Sequence, residues 1–167
     1  MSLEIERKFL LPVYPAALIE ESAIRIEKEQ LIEQTYLALA GDQELRVRKI
    51  TDLADHRTEY THTFKKGHGI AREEVEYSIS EGIYEQMIHA HQAVPLIKKR
   101  TTALWGDTKI EIDEYEQIQL MVLEVEFGAI EEAENFISPE WFGRDISTEK
   151  QYSNKKVWKE LQKKRLS

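Results

Sequence analysis

The chain has no cysteine. That excludes a disulfide scaffold, a thiol nucleophile and any thiolate metal centre. Proline and glycine are scarce, 4 and 7 among 167 residues, so no stretch reads as a linker or a low-complexity tail. No apolar run approaches the roughly 20 residues that a membrane-spanning helix needs. The first residues, Met1-Ser2-Leu3-Glu4-Ile5-Glu6, become charged at once and lack the apolar centre of a secretory leader. An excess of bases is missing too: 31 acidic side chains against 23 basic ones leave a formal net charge of −8. Such a chain is a poor non-specific binder of nucleic acid or anionic lipid, although a local basic pocket remains open to it. The length suits one domain over residues 1–167, expected to be soluble and cytoplasmic, without nucleic-acid or membrane partners.

Short-period alternation dominates what is there. Strands are expected at 3–11, 32–40, 44–50, 58–65, 72–79, 96–104, 108–115 and 119–127. Helices are expected at 16–29, at 81–91 behind Ser80, at 130–137, and in a tail helix capped by Ser153. Strands joined by short turns predict a largely antiparallel sheet.

The charges in these strands recur two residues apart, so each strand has one charged face. Glu4, Glu6 and Lys8 share a face, as do Arg46 and Arg48, Thr63 and Lys65, Glu74 and Glu76, Lys98 and Arg100, Glu111 and Asp113, and Glu124 and Glu126. A solvated face of an open sheet explains any one strand. It does not explain the segregation of signs between strands. Arg46-x-Arg48 and Lys98-x-Arg100 carry like charges on one face with no acid in phase, which is costly without an anion between them. A closed barrel with a charged, wet interior and an apolar outer surface under helices accounts for the whole set. Its paired carboxylates suit hard divalent cations, and its clustered bases suit phosphate oxygens.

The ordered residues also resemble a known family. Glu4-Ile5-Glu6-Arg7-Lys8 is similar to the E-x-E-x-K signature of the CYTH superfamily, the triphosphate tunnel metalloenzymes. Gln34-x-Tyr36-Leu37, Arg46-x-Arg48, Thr63-x-Lys65, Arg72 with Glu74-x-Glu76, Lys98-x-Arg100, Asp113-x-Tyr115 and Glu124-x-Glu126 follow in order. The ending, Pro139-x-Trp141-Phe142-Gly143, Lys150 and Tyr152-x-Asn154, resembles that of short bacterial inorganic tripolyphosphatases.

The resemblance implies an α+β fold, an eight-stranded antiparallel tunnel with helices outside, acting on a triphosphate with Mg²⁺ or Mn²⁺. It implies metal ligation by Glu4, Glu6, Asp113, Glu124 and Glu126. It implies catalytic roles for Glu4, Glu6, Lys8, Arg46, Arg48, Lys65, Lys98 and Arg100. The six basic residues of that set, with Lys150, Glu74 and Glu76, would bind substrate. The chain departs from the pattern in a longer hairpin at 52–57, a shorter stretch between Asp113 and Glu124, and Gln151 in place of an arginine. Nucleoside, RNA or thiamine triphosphatase, class IV-type adenylate cyclase and a non-catalytic polyphosphate-binding module stay open, as does the oligomeric state. Lys155, Lys156 and the basic ending 163–165 read as solvated helix surface, the histidines as surface residues and the tryptophans as packing residues.

Overall fold

Period-two alternation builds eight strands: β1 Ser2–Leu10, β2 Ile24–Ala40, β3 Gln43–Asp52, β4 Thr58–Lys66, β5 Ala71–Ile79, β6 Leu96–Trp105, β7 Thr108–Tyr115 and β8 Met121–Glu126. Helices α1 Ala16–Glu20, α2 Glu81–His91, α3 Ile130–Asn135 and α4 Asn154–Leu166 lie between and after them, and a 3-10 turn at Lys150–Tyr152 precedes α4. The computed structural model describes residues 2–166. The side chain of Arg165, part of the basic ending read above as solvated surface, lies outside the described residues. Among the described residues no helix is long and apolar enough to cross a membrane.

The strands form a closed barrel in the order β1-β5-β4-β3-β2-β6-β7-β8, with every pairing antiparallel. Its apolar core lies outside the barrel wall. Phe9, Ile24, Ala103, Ile110, Ile112, Leu123 and Val125 point outward and are buried with Leu11 and Phe142. Leu18 and Ile19 of α1, with Trp105, Phe127, Phe136 and Trp141, complete that layer. Each large side chain fully buried there contributes about 1.5–3 kcal/mol. The cover is one-sided: Leu3, Val75 and Tyr77, on the outer face of β1 and β5, remain exposed. A second cluster, Leu96, Tyr115, Val122 and Ile146, meets Val157, Trp158 and Leu161 of α4, with Trp158 edge-on to Tyr36.

The helix expected over 16–29 is corrected. It ends at Glu20, and Ile24 already belongs to β2. Ser22 adopts a left-handed φ of 63°, and the Ala23 amide donates back to the Leu18 carbonyl at 2.9 Å, which turns the chain out of the helix. Ile24 and Ile26 then alternate with Arg25 and Glu27. Pairing with β6 outweighs the fair helix propensity of this segment.

Residues 143–147 of the tail complete part of the barrel wall. β5 pairs with β1 only as far as Ile5, where its own first residue, Ala71, is reached. Beyond that point the tail takes over the vacated edge of β1. Gly143 N donates to Leu10 O at 2.8 Å, Leu10 N to Arg144 O at 2.9 Å and Ile146 N to Lys8 O at 2.8 Å. A Cβ on Gly143 would stand 2.5 Å from the Leu10 carbonyl oxygen, so only glycine fits there. Gly143→Ala is therefore expected to destabilise the protein by about 1–3 kcal/mol, lowering the melting temperature by several degrees. An unchanged thermal melt would refute this account of the tail's docking.

Candidate functional site

The alternation that sends apolar side chains outward sends the charges inward, into a cavity of about 950 Å³. Its wall includes Glu4, Glu6 and Lys8 from β1, Arg46 and Arg48 from β3, Lys65 from β4 and Glu74 and Glu76 from β5. Arg100 from β6, Glu111 from β7, Glu124 from β8 and Lys150 from the tail add to the charged lining.

The two β3 arginines form one wall. Both are buried, and their neighbours in register are neutral: Tyr36 and Thr63 flank Arg46, while Gln34 and Thr61 flank Arg48. Among the described residues neither arginine makes an ion pair at 4.0 Å or less, whereas Glu4, Lys65, Glu74, Arg100 and Glu111 do. Arg48 Nε donates to Gln34 Oε1 at 3.1 Å. Burial, together with the charges of Arg46 and Arg100, lowers the Arg48 guanidinium to about 10.

Facing carboxylates make a second wall. Glu6 stands opposite Glu126 across the β1–β8 pair, and Lys8 stands opposite Glu124. Burial, and then the Glu124 and Glu4 carboxylates, push the Glu6 carboxyl well above the ordinary range. Glu4 responds in the opposite sense. Burial raises it, but Lys65 Nζ at 2.6 Å overrides this and brings it to about 2. Lys65 also lies 3.9 Å from Glu74, and Thr63 Oγ1 donates to Glu76 at 2.7 Å.

Asp113, Lys98 and Glu126 stand apart from the cavity wall. Asp113 is 1% exposed and accepts a forked pair of hydrogen bonds from Arg100, both 2.8 Å, with Lys98 Nζ also 2.8 Å away. These cations outweigh burial and hold its carboxyl far below the ordinary range. Lys98 is fully buried, and burial pulls its ammonium down to about 7 despite Asp113. Arg100 also reaches Glu111 at 2.6 Å. Glu126 continues the lumen face of β8 but is 53% exposed, 3.9 Å from Lys109. Among the described residues no three carboxylates or imidazoles converge closely enough to hold a metal ion alone.

The tail supplies residues that the sequence reading set aside. Lys155 and Lys156 line the cavity instead of forming only a solvated helix face, and Lys159, to which the sequence reading gave no role, lines it with them. Lys155 lies 3.8 Å from Glu44, a buried carboxylate that also pairs with Arg72 at 3.0 Å. The i, i+4 spacing of Lys155 and Lys159 was the available signal, but nothing local shows which way a helix faces. Lys8 Nζ donates to the Tyr152 carbonyl at 2.8 Å, and Tyr115 donates to Asn154. His68 reaches the cavity rim, while His62 bonds Tyr77 and His91 bonds the Leu37 carbonyl. Trp105 and Trp141 pack edge-on at 5.8 Å.

Known proteins are similar to this chain along nearly its whole length. An inorganic triphosphatase of Nitrosomonas europaea is 33% identical over 156 residues, 91% of this chain and 94% of the relative. One of Acetivibrio thermocellus is 28% identical over 162 residues, 95% of each. The crystal structure of the inorganic triphosphatase NE1496 superposes with a TM-score of 0.63 at 30% identity, covering 95% of both chains. The CYTH domain model matches residues 2–160, and by that span the chain belongs to the CYTH family.

Proposed function

We propose that this chain hydrolyses inorganic tripolyphosphate with the help of Mg²⁺ or Mn²⁺. The unpaired, buried Arg46 and Arg48 carry the reading, because two adjacent guanidinium groups in a closed lumen call for a multiply charged anion. Two relatives named inorganic triphosphatase, matched over nearly their full length, support it.

Arg46 and Arg48 would grip non-bridging oxygens in forked fashion. Lys8, Lys65 and Lys150 would add charge along the chain of phosphates, and Arg100 would do so while tethered to Asp113. The substrate-facing carboxylates Glu74 and Glu76 restrain Lys65 and Thr63. Hydrolysis breaks the bond between the terminal phosphorus and its bridging oxygen, adds the oxygen of water to that phosphorus, and releases phosphate and pyrophosphate.

The donor set fits a small hard cation. Mg²⁺ is commonly held by one or two carboxylates, with substrate phosphates and water completing its shell. Glu6 and Glu124 offer such a pair, with Glu4 beside them. Burial, and then the Glu124 and Glu4 charges, raise the Glu6 carboxyl, and a cation would offset that crowding of negative charge. When bound, the metal supplies charge neutralisation and an acidified water. In this reading Asp113 acts by orienting Arg100 and Lys98, and Glu126 lies at the margin of the site.

Phosphate release from tripolyphosphate, ATP and thiamine triphosphate, each with Mg²⁺ and Mn²⁺, tests the proposal. Fast release from tripolyphosphate and slow release from ATP are expected. Cyclic AMP and pyrophosphate from ATP, or tight binding without turnover on any substrate, would overturn it. Saturating metal with tripolyphosphate should raise the melting temperature by mass action.

Glu6→Gln provides a separate check. Its folded carboxyl is raised, so the wild type without ligands loses stability as pH rises through that group's titration. Glu6→Gln should abolish release yet melt at a higher temperature than wild type at pH 8, the gap closing at pH 5. Equal melting at both values would refute the crowded-carboxylate account.

A further inference from the structure

Arg7 interrupts the lumen-facing series Glu4, Glu6 and Lys8, and it points away from the cavity. Its position outside the barrel gives it no contact with a ligand in the lumen, yet it is heavily engaged. Arg7 Nη2 and Nε donate to Asp145 Oδ2 at 2.6 and 3.1 Å. Its Nη1 donates to the carbonyls of Ala133 and Phe136 at 3.0 and 2.8 Å, which receives the end of α3. The guanidinium lies 5.2 Å from the centre of the Phe9 ring.

Asp145 passes this restraint inward. Its other oxygen, Oδ1, accepts from Ser147 N at 2.8 Å and from Ser147 Oγ at 2.6 Å. Ser147 Oγ in turn accepts from the Lys8 amide at 2.9 Å. Five residues later the tail returns to Lys8, whose ammonium donates to the Tyr152 carbonyl. Ser147, Lys150 and Tyr152 all line the cavity. One arginine on the outer face thus fixes, through one carboxylate and one hydroxyl, the segment that holds Lys8 at both its backbone and its side chain.

We infer that Arg7 is a positioning residue for substrate binding, acting through Asp145 and Ser147 to hold the tail segment 145–152 and Lys8 in the arrangement that receives the phosphate chain. The inference rests on the proposed tripolyphosphate reading. A salt bridge with 39% exposure on the carboxylate side would be worth little as a stability device. Its geometric effect is larger, because small displacements of charged groups around a multiply charged ligand cost affinity steeply.

The test measures tripolyphosphate affinity calorimetrically in the presence of Mg²⁺, beside hydrogen exchange at the Leu10 and Ile146 amides and a thermal melt. Arg7→Ala is expected to weaken binding roughly tenfold to a hundredfold and to expose both amides. Asp145→Asn, nearly isosteric and suited to the case where Arg7→Ala does not fold, should move the same readouts in the same direction. Asp145→Glu should recover part of the loss. Placed on Lys8→Ala, Arg7→Ala should add less than its full loss, since part of its effect passes through Lys8. Arg7→Ala binding as tightly as wild type, or losses that add fully with those of Lys8→Ala, would overturn the inference alone. A wild type that binds no tripolyphosphate would refute the functional reading together with it. Binding without turnover would refute hydrolysis and leave this inference to the affinities.

Discussion

Two guanidinium groups buried side by side, with neutral neighbours on either hand, are the constraint around which this molecule is arranged. Arg46 and Arg48 repel one another, and burial strips them of water. The free energy that holds them must come from elsewhere. It comes from the outer face of the barrel, where Phe9, Ile24, Ile110, Ile112, Leu123 and Val125 pack under α1 and the aromatic residues of the tail. The usual arrangement of a small barrel, apolar within and polar without, is inverted over much of the wall.

The remaining lumen charges are graded in how firmly they are held. Asp113 and Lys98 sit behind the wall against the lumen-lining Arg100, and the Asp113 carboxylate is committed to these two cations. Glu4 is bound to Lys65. Glu6 is the poorly compensated carboxylate, just as Arg48 is the poorly compensated base, whereas at Arg46 burial is outweighed by the charges of Tyr36, Glu44 and Glu74. The unsatisfied positive wall and the unsatisfied negative wall face one cavity, which is the electrostatic shape of a site for an anion accompanied by a cation.

The strands and their inward faces were legible because charge recurred at i, i+2 and the signs were segregated. Arg46-x-Arg48 is a pattern that local solvation does not explain. The segment 24–29 misled because Leu18, Ile19 and Ile26 fit a helical stripe as well as a strand, and only pairing with β6 decides between them. The standing of Asp113 was hidden for a related reason. Its spacing marks it as lumen-facing, but its exclusion from the wall depends on two cations from another strand. The inward placement of Lys155 and Lys159 was hidden too, since it depends on where α4 docks against β2 and β6.

The edge of β1 that the tail completes ties the start of the chain to its end. Lys8 and Ser147 are 139 residues apart in sequence and hydrogen-bonded in the fold. Contacts of such high sequence separation slow folding, because the entropy of closing the loop is lost before the contact forms. On a ribosome adding roughly 5–20 residues per second, β1 would wait on the order of ten seconds for the partner that finishes its edge. During that interval the first strand presents alternating charge to water and Ile5 and Phe9 to anything apolar nearby, so the nascent chain, more than the finished barrel, is the species exposed to misassociation.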